Sequence, residues 1–299
     1  MAFAAWRATR AAAASGVQPV ARHRRPGPYP ARETGRRRSD PMSFALQPAR
    51  AAGGPIQPVS AEEQRVRVDL AAAYRLAARE GWDDLIYTHI SATVPGEPDH
   101  FLINPFGFAF DEIRASDLVK INGRGEVVGE TVHPVNVTGF ALHAAVHAAR
   151  VDAMCVMHLH NTAGIAVSAQ AAGLLPLSQH AMRFHGRMAY HDYEGLAFTP
   201  AEGARLTASL GAHPAMLLRN HGTLTVGRTV AEAYVLMATL IKACEVQIAA
   251  QAGGALVQPG AAVADKTSGQ LYDNGAVEGV MEWPALLRKL DRIDPSYRD

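Results

Sequence analysis

The stretch VMHLHNTAGIAVSA, residues 156–169, places two histidines one residue apart inside an apolar segment. The segment that contains them, VDAMCVMHLH, is short and apolar, which is typical of a buried strand. Side chains of a strand alternate between its two faces, so we expect His158 and His160 to point the same way, with their Cβ atoms about 6 to 7 Å apart. That separation suits two ligands of one metal ion.

A third candidate ligand, His221, lies in RNHGT, where the chain turns at Gly222 after an apolar strand. Three neutral imidazoles with an open position form a common catalytic site for zinc, and the same set also suits iron, manganese or cobalt. His143 and His147 are four residues apart on one face of a predicted helix, NVTGFALHAAVHAAR. We expect these two either to be packing residues or to orient the ligands through hydrogen bonds.

Composition limits the classes of function. The chain has 299 residues, of which 48% are hydrophobic, enough for one large domain or one domain with tails. Its net charge of +1 gives no global attraction to nucleic acid or to an anionic membrane, so we expect neither as a partner. No apolar run reaches the roughly 18 residues that a membrane span needs. The two cysteines, Cys155 and Cys244, are spaced like core thiols, which fits a reducing compartment and a cytoplasmic protein.

Residues 1–59 form an N-terminal extension rich in arginine, proline and alanine. We expect this extension to be disordered, because it has too little apolar content to offset chain entropy. Three interpretations are open. The extension is an organellar transit peptide, since it is rich in arginine and poor in acids; or a basic arm for nucleic acid; or a segment without function, in which case the natural start is Met42.

An α/β domain is predicted over residues 60–255. It begins with the helix SAEEQRVRVDLAAAYRLAAREG, in which Ser60 and Glu63 are typical of a capping box and Gly81 is a stop signal. HISATVP and HFLINPFG are predicted to be paired strands with a turn at residues 96–98.

The rest of this domain alternates strands and helices irregularly. We predict a helix at AEGARLTASLG, two strands joined by a turn in AMLLRNHGTLTVG, and a long helix at TVAEAYVLMATLIKACEVQIAAQAGG. A last, amphipathic helix is predicted within EWPALLRKLDRIDPSYRD, in a C-terminal extension of residues 256–299. Because the sequence shows neither a regular βαβ rhythm nor a G-x-G-x-x-G fingerprint after a strand, it indicates an α/β fold other than a Rossmann sheet.

Six segments resemble, in the same order, those of the class II aldolase/adducin family, and most closely the head domains of its adducin-like branch. They are LIYTHISATVPGEPDHFLINPFG, ASDLVKINGRGEVV, FALHAAVHAAR, CVMHLHNTAGIAVSA, YHDYEG and LRNHGTLTVG, and the resemblance covers residues 60–251. It implies a three-layer α/β/α fold with a central, mainly antiparallel sheet, and a homotetramer with active sites at subunit interfaces. It also implies a divalent metal ion, zinc in the sugar-phosphate aldolases, held by the residues that correspond to His158, His160 and His221.

The catalytic base of the family has no counterpart at its usual position. In the family's aldolases the metal binds the hydroxyl and carbonyl oxygens of a hydroxycarbonyl substrate, and a carboxylate nineteen residues before the first metal histidine moves the proton. That position is Gly139 in this chain. Glu194 in YHDYEGLAF is the replacement that we favour. Other titratable residues are alternatives: Asp192, His191, His180 and His185.

The positions that bind phosphate in the family also differ in this chain. The Gly-Asn pair is Thr88 and His89, the hydroxyl residue before Gly107 is Phe106, and the serine pair falls at Val137 and Thr138. A phosphate dianion favours backbone amides among small and hydroxylic side chains, so we expect a substrate without phosphate. Four residues are predicted to bind it: His89, Asn104, Gly107 and Thr138.

Three functions are therefore open. We favour a metal-dependent, aldolase-like lyase or a related enolising enzyme that acts on a non-phosphorylated hydroxycarbonyl or hydroxy-acid substrate. The second is an iron(II)-dependent oxygenase or decarboxylase on the same scaffold, because three histidines with open positions also bind iron and oxygen. The third is a non-catalytic assembly domain, as in the cytoskeletal adducins. The missing base favours the third function, and the three histidines argue against it.

The C-terminal extension offers one further expectation. In family enzymes a C-terminal segment of the neighbouring subunit helps to close the site, which makes Trp283, Tyr297 and Tyr272 candidates for that role. We prefer the interpretation that this segment is a packing helix.

Overall fold

A seven-stranded sheet forms the centre of the computed structural model, which describes residues 46–47, 59–129, 131–195, 199–272 and 278–299. All of these residues belong to one unit, Ser43–Asp299. The strands of the described residues are β1 (Leu46–Gln47), β2 (His89–Val94), β3 (Glu97–Ile103), β4 (Val119–Asn122), β5 (Val135–Asn136), β6 (Cys155–Leu159), β7 (Met188–His191), β8 (Ala215–Leu218) and β9 (Gly222–Gly227).

The large sheet has the strand order β4, β3, β2, β6, β9, β8, β7, and β1 pairs with β5 apart from it. Every neighbouring pair in the large sheet is antiparallel except β7 and β8, which are parallel. The prediction of a central, mainly antiparallel sheet is therefore confirmed. The predicted histidine strand is β6, which lies between β2 and β9 near the middle of the sheet.

Helices cover both faces of this sheet. They are α1 (Ala61–Arg79), α2 (Val137–Ala149), α3 (Thr162–Ser168), α4 (Gln179–Arg183), α5 (Pro200–Leu210), α6 (Val230–Ala252), α7 (Ala261–Tyr272) and α8 (Glu282–Asp291). Cys155, Met157 and Leu159 of β6 share a core cluster with α1 and α6, whereas Val156 packs with α2 and α5 on the opposite face. This alternation along one strand gives the three-layer α/β/α fold that the sequence predicts.

The first predicted helix, α1, has the ends that the sequence indicates. The Ser60 hydroxyl accepts a hydrogen bond from the backbone N–H of Glu63 at 3.0 Å, as an N-cap does. The Glu63 carboxylate is buried and pairs with Arg67 and Lys120, so it serves a core ion-pair network as well as the helix start. Gly81 follows the helix with a φ of +71°, the left-handed conformation expected of a helix stop.

The longest helix, α6, corrects one expectation from the sequence. It has 23 residues, and an 18-residue window within it makes the helix, by length and composition alone, long and apolar enough to cross a membrane. Half of that window is buried inside the protein. Met237 and Ile241 pack with α1, and Leu240 and Cys244 lie in a second cluster with β8. These contacts are those of a core helix.

The C-terminal extension packs back onto the α/β domain, in part onto its first helix. The indole N–H of Trp283 donates to Asp69 of α1 at 2.8 Å, and the Tyr297 carbonyl accepts from the backbone of Ala115 at 3.0 Å. The guanidinium of Arg187 stacks on the Tyr272 ring at 4.1 Å. These contacts agree with the packing interpretation of the three aromatic residues. The predicted N-terminal extension, 1–59, lies outside the described residues except for β1 and residue 59, so its disorder stays a prediction.

Candidate metal centre

Three histidine rings converge at the end of β6. The ring centroids of His158 and His160 are 4.9 Å apart, and that of His221 lies 4.8 Å from the first and 4.9 Å from the second. One ring nitrogen of each histidine lies within 4.8 Å of the corresponding atoms of the other two. The structure thus brings together the three ligands proposed from the sequence.

The turn between β8 and β9 brings His221 to the end of β6. Asn220 has a φ of +57°, a left-handed conformation that asparagine tolerates better than most residues. A Cβ atom at Gly222 would lie 2.6 Å from the carbonyl oxygen of Leu159, so a side chain there would push β9 away from β6. The glycine that follows His221 therefore allows the close approach that the cluster needs.

Hydrogen bonds at Nδ1 orient two of the three rings. Nδ1 of His158 donates to the carbonyl oxygen of Thr223 at 3.0 Å, and Nδ1 of His160 donates to Oδ2 of Asp84 at 3.0 Å. Because these partners are acceptors, we assign a proton to each Nδ1, which leaves a lone pair on each Nε2. Nε2 of His160 is buried and has no hydrogen-bond partner. In donor type and orientation, these rings fit a divalent metal ion.

Burial favours the neutral form of the cluster. Desolvation, followed by the effect of neighbouring histidines, lowers the pKa of His158 well below its ordinary value. Desolvation, followed by the nearby His160, lowers the pKa of His221 to about 4. Neutral imidazole is the form that binds metal ions, so both rings are in the competent state at neutral pH.

A cavity of about 180 Å³ lies in front of the three histidines. Its lining comprises Tyr87, Thr88, His89, Asn136, Gly139, Leu142, His158, His160, His191, Asp192, Tyr193, Glu194, Gly195, Glu202, Leu206, Leu218, Arg219 and His221. His89 and Glu194, both predicted from the sequence, are part of this lining. So are His191 and Asp192, two of the alternatives for the base.

Other predicted site residues lie elsewhere. Neither Asn104 nor Gly107 is among the described residues that line the cavity. The Asn104 side chain accepts from the Tyr74 hydroxyl at 2.9 Å, and Gly107 lies in a turn with a φ of +98°. Thr138 lies in the first turn of α2, and its side chain is outside the described part of the structure. Two alternatives for the base also lie outside the lining: His180 and His185.

Glu194 already has a strong partner. Both of its carboxylate oxygens accept hydrogen bonds from the guanidinium of Arg205, one of them at 2.8 Å. This hydrogen bonding lowers the pKa of Glu194. Because the guanidinium of Arg205 occupies both carboxylate oxygens, neither is free to face a substrate, and the geometry favours Glu194 less than the sequence does. Its role as a base stays a prediction.

The imidazole of His89 fills the space beside Gly139. A Cβ atom at Gly139 would lie 2.2 Å from Cε1 of His89 and 2.9 Å from each of its ring nitrogens. Burial, followed by the nearby His160, lowers the pKa of His89 to about 4. The two positions at which the sequence departs from the pattern that it resembles, 89 and 139, are therefore in contact. A histidine on β2 takes the space next to a residue of α2 that has no side chain.

A buried chain of hydrogen bonds joins α2 to β2. Nδ1 of His147 donates to the Ala153 carbonyl at 2.6 Å, which leaves Nε2 to accept from the Ser91 hydroxyl at 2.7 Å. The Ser91 oxygen then accepts from Nδ1 of His143 at 2.8 Å. Both histidines therefore hold α2 against the sheet. The metal-ligand candidates are oriented instead by Thr223 and Asp84.

Two carboxylates at the site were not predicted from the sequence. Asp84 contacts His160 across 76 residues of chain, and no local pattern marks such a pairing. Glu202 lies in the first turn of α5, is 8% exposed and lines the cavity. Its position after a helix N-cap is typical of an ordinary capping residue, which gives no sign that it faces a cavity.

Comparisons with known proteins agree with this architecture. The sequence profile described as Class II Aldolase and Adducin N-terminal domain matches residues 68–248. The crystal structure of an aldolase II superfamily protein from Pseudomonas syringae is 51% identical in sequence. It covers 81% of this chain and 98% of its own, with a TM-score of 0.78. L-fuculose 1-phosphate aldolase from Glaciozyma antarctica PI12 is 30% identical, covers 83% of this chain and 97% of its own, and has a TM-score of 0.71.

An adducin is also among the relatives. Alpha-adducin from Rattus norvegicus is 43% identical over 77% of this chain, and the match spans 34% of the adducin. The family generally uses a divalent metal ion, most often zinc. The profile matches more than half of the length of this chain. The chain therefore belongs to the family of class II aldolases and adducin N-terminal domains.

Proposed function

We propose that this protein is a metal-dependent lyase, or a related enolising enzyme, that acts on a non-phosphorylated hydroxycarbonyl or hydroxy-acid substrate. The observation that carries the proposal is the convergence of His158, His160 and His221 in one cavity with ring nitrogens available for a ligand. The likeness to an aldolase over most of the chain supports the lyase class.

Zinc is the ion that we propose, since three imidazoles and an open position are a frequent catalytic zinc site, and manganese, iron and cobalt accept the same donors. When bound, the ion would supply a Lewis acid that stabilises negative charge on a substrate oxygen. The chain itself orients the histidine rings and excludes water from the cavity. Asp84 and Thr223 fix two of the rings, and the buried Leu142, Leu206 and Leu218 form the apolar part of the wall.

The lining of the cavity supports a substrate without phosphate. Among the described lining residues, Arg219 is the one arginine or lysine. Its guanidinium donates to the carbonyl oxygens of Ser168 and Gln170, at 3.3 and 2.7 Å, and stacks on the Tyr190 ring. A phosphate dianion would find little cationic complement in this lining.

Elemental analysis tests the proposal most directly. The protein is purified without chelator and without a nickel column, as the wild type, as His158→Ala, and as His180→Ala, a control histidine at an exposed position outside the cavity. We expect stoichiometric zinc in the wild type and the control, and loss of zinc in His158→Ala. Cleavage assays with hydroxyketones and hydroxy acids then follow on the loaded protein. Absence of metal from the wild type, even after incubation with zinc, would contradict the proposal.

Two alternatives are separated by the same experiment. The three-histidine ligand set also supports an iron-dependent oxygenase or decarboxylase, which bound iron and consumption of oxygen would indicate. The sequence identity of 43% with alpha-adducin supports a non-catalytic assembly domain. A wild-type protein that binds no metal would indicate this alternative.

We also propose a cytoplasmic homotetramer. Both cysteines, Cys155 and Cys244, are free and buried, which suits a reducing compartment. Tyr87 and Tyr193 line the cavity and are 42% and 50% exposed, so a neighbouring subunit has apolar surface to cover at this point. Sedimentation equilibrium tests the tetramer, and a monomeric result at micromolar concentration would contradict it.

A further inference from the structure

His89 carries a buried nitrogen that no residue of the described structure satisfies. The side chain is 5% exposed, and its Nε2 lacks a hydrogen-bond partner. Buried polar groups of native proteins are nearly always paired, so an unpaired one in a cavity wall indicates a group that a ligand completes. The ring lines the same cavity as the three clustered histidines.

The position of the ring is fixed from three sides. In the sheet, His89 is directly opposite His158 in the register of β2 and β6. On the α2 side, the ring packs so closely against Gly139 that a Cβ atom at this position would overlap it. The ring of His143 lies edge-on at 6.0 Å, and the hydrogen bond from its Nδ1 to Ser91 holds it there.

We propose that His89 is the catalytic residue that moves a proton to and from the substrate carbon next to the carbonyl group. This inference rests on the proposed function. In the forward step the carbon–hydrogen bond breaks, its proton goes to a ring nitrogen of His89, and the electron pair stays on the substrate as an enediolate. The reverse step returns the proton to carbon, so no oxidant or reductant is needed. Imidazole is the side chain that most often performs such transfers in enzymes.

Hydrogen exchange at carbon tests this assignment without knowledge of the natural substrate. The zinc-loaded protein is incubated in D₂O with dihydroxyacetone, glycolaldehyde or hydroxyacetone, and loss of the carbon-bound proton signal is followed by NMR. Zinc content and the binding of glycolohydroxamate, a chelating mimic of an enediolate, are measured in parallel. The variants are His89→Gln, His213→Gln as a control outside the cavity, and the double variant His89→Asn/Gly139→Glu, which exchanges the imidazole for a carboxylate on α2. Circular dichroism checks folding, and His89→Asn replaces His89→Gln if the latter does not fold.

The expected result has three parts. His89→Gln keeps its zinc and binds the hydroxamate like the wild type, but its rate of hydrogen exchange is lower by a factor of about 100 or more. His213→Gln behaves as the wild type does. The double variant recovers a large part of the lost rate, because a carboxylate again faces the substrate carbon.

Other results overturn the proposal. Exchange at the wild-type rate in His89→Gln would show that another group moves the proton. Loss of zinc from that variant would show that His89 supports the metal site and not the substrate. If the wild type itself binds neither zinc nor the hydroxamate and exchanges none of the three probes, the proposed function fails, and the role of His89 fails with it.

Discussion

His160 and Asp84 are joined by a hydrogen bond of 3.0 Å between the imidazole Nδ1 and the carboxylate Oδ2. The loop that presents Asp84 contains two left-handed residues that are not glycine, Leu85 with a φ of +55° and Thr88 with a φ of +68°. This conformation is unfavourable for a β-branched residue such as threonine. Strain of this kind is retained where the surrounding structure fixes it, often at functional sites. Here it accompanies the placement of a carboxylate on a candidate metal ligand.

Replacing Asp84 by alanine is expected to weaken metal binding by about 10- to 100-fold, because the ring of His160 loses the partner that fixes its orientation and tautomer. The measurement is competition for zinc with a chelator of known affinity. Asp83→Ala is the matched control, since it removes the neighbouring carboxylate and leaves the hydrogen bond between Asp84 and His160 in place. Equal zinc affinity of the two variants would show that the hydrogen bond does not support the site.

The contact between Gly139 and His89 predicts a coupled pair of substitutions. Gly139→Ala alone should lower the free energy of unfolding by about 1–3 kcal/mol, because the new methyl group overlaps the buried ring. In a His89→Ala background the same change should cost less, by about 1 kcal/mol or more, since the ring is gone. Urea unfolding of the four proteins of the cycle measures this coupling. Additive effects would mean that the two residues do not touch.

Burial of His147 predicts a loss of stability in mild acid. In the folded protein, burial lowers the pKa of His147 from 6.5 to about 4. Between these two values the unfolded chain binds a proton that the folded protein does not, so the free energy of unfolding falls as the pH falls from 6.5 to 4. A shift of this size corresponds to a loss of about 3 kcal/mol from this residue.

Unfolding in urea at several pH values tests this expectation. His147→Gln lacks the titrating ring, so its free energy of unfolding should fall less steeply over the same pH interval than that of the wild type. His180→Gln, at an exposed position, should retain the wild-type slope. A slope in His147→Gln as steep as in the wild type would assign the acid sensitivity to other groups.

Much of the fold could be predicted because it depends on local patterns. The alternation of side chains along β6 is enough to place His158 and His160 on one face, and cap residues mark both ends of α1. Short elements with little periodicity were not predicted, including α4, α7 and β7. The parallel pairing of β7 with β8 was also missed. It depends on α5 as a crossover, which a strand pattern of four residues does not indicate.

The candidate site was predictable only in part, for a related physical reason. His158, His160 and His221 stand beside strand and turn signals that can be recognised one at a time. The contact of Asp84 with His160 and that of His89 with Gly139 are made between distant segments. A sequence shows that residue 139 lacks a carboxylate, but only the packing of α2 on β2 shows what fills the space.

Gly222 is expected to be required for the histidine cluster. A Cβ atom at this position would lie 2.6 Å from the backbone oxygen of Leu159, and it would also come within 3.1 Å of the His160 ring and 3.2 Å of the His158 ring. Because a backbone atom cannot rotate away as a side chain can, Gly222→Ala should move β9 and His221 away from β6. We expect a loss of about 1–3 kcal/mol in stability together with weaker zinc binding.

The matched control for this substitution is Gly260→Ala, where a new methyl group meets no atom within 4 Å. Thermal unfolding and zinc titration are carried out on both variants and on the wild type. Gly260→Ala should unfold and bind zinc like the wild type, whereas Gly222→Ala should be impaired in both measurements. If Gly222→Ala loses stability but binds zinc normally, β9 has moved without disturbing His221, and the close approach at Leu159 serves the sheet and not the site.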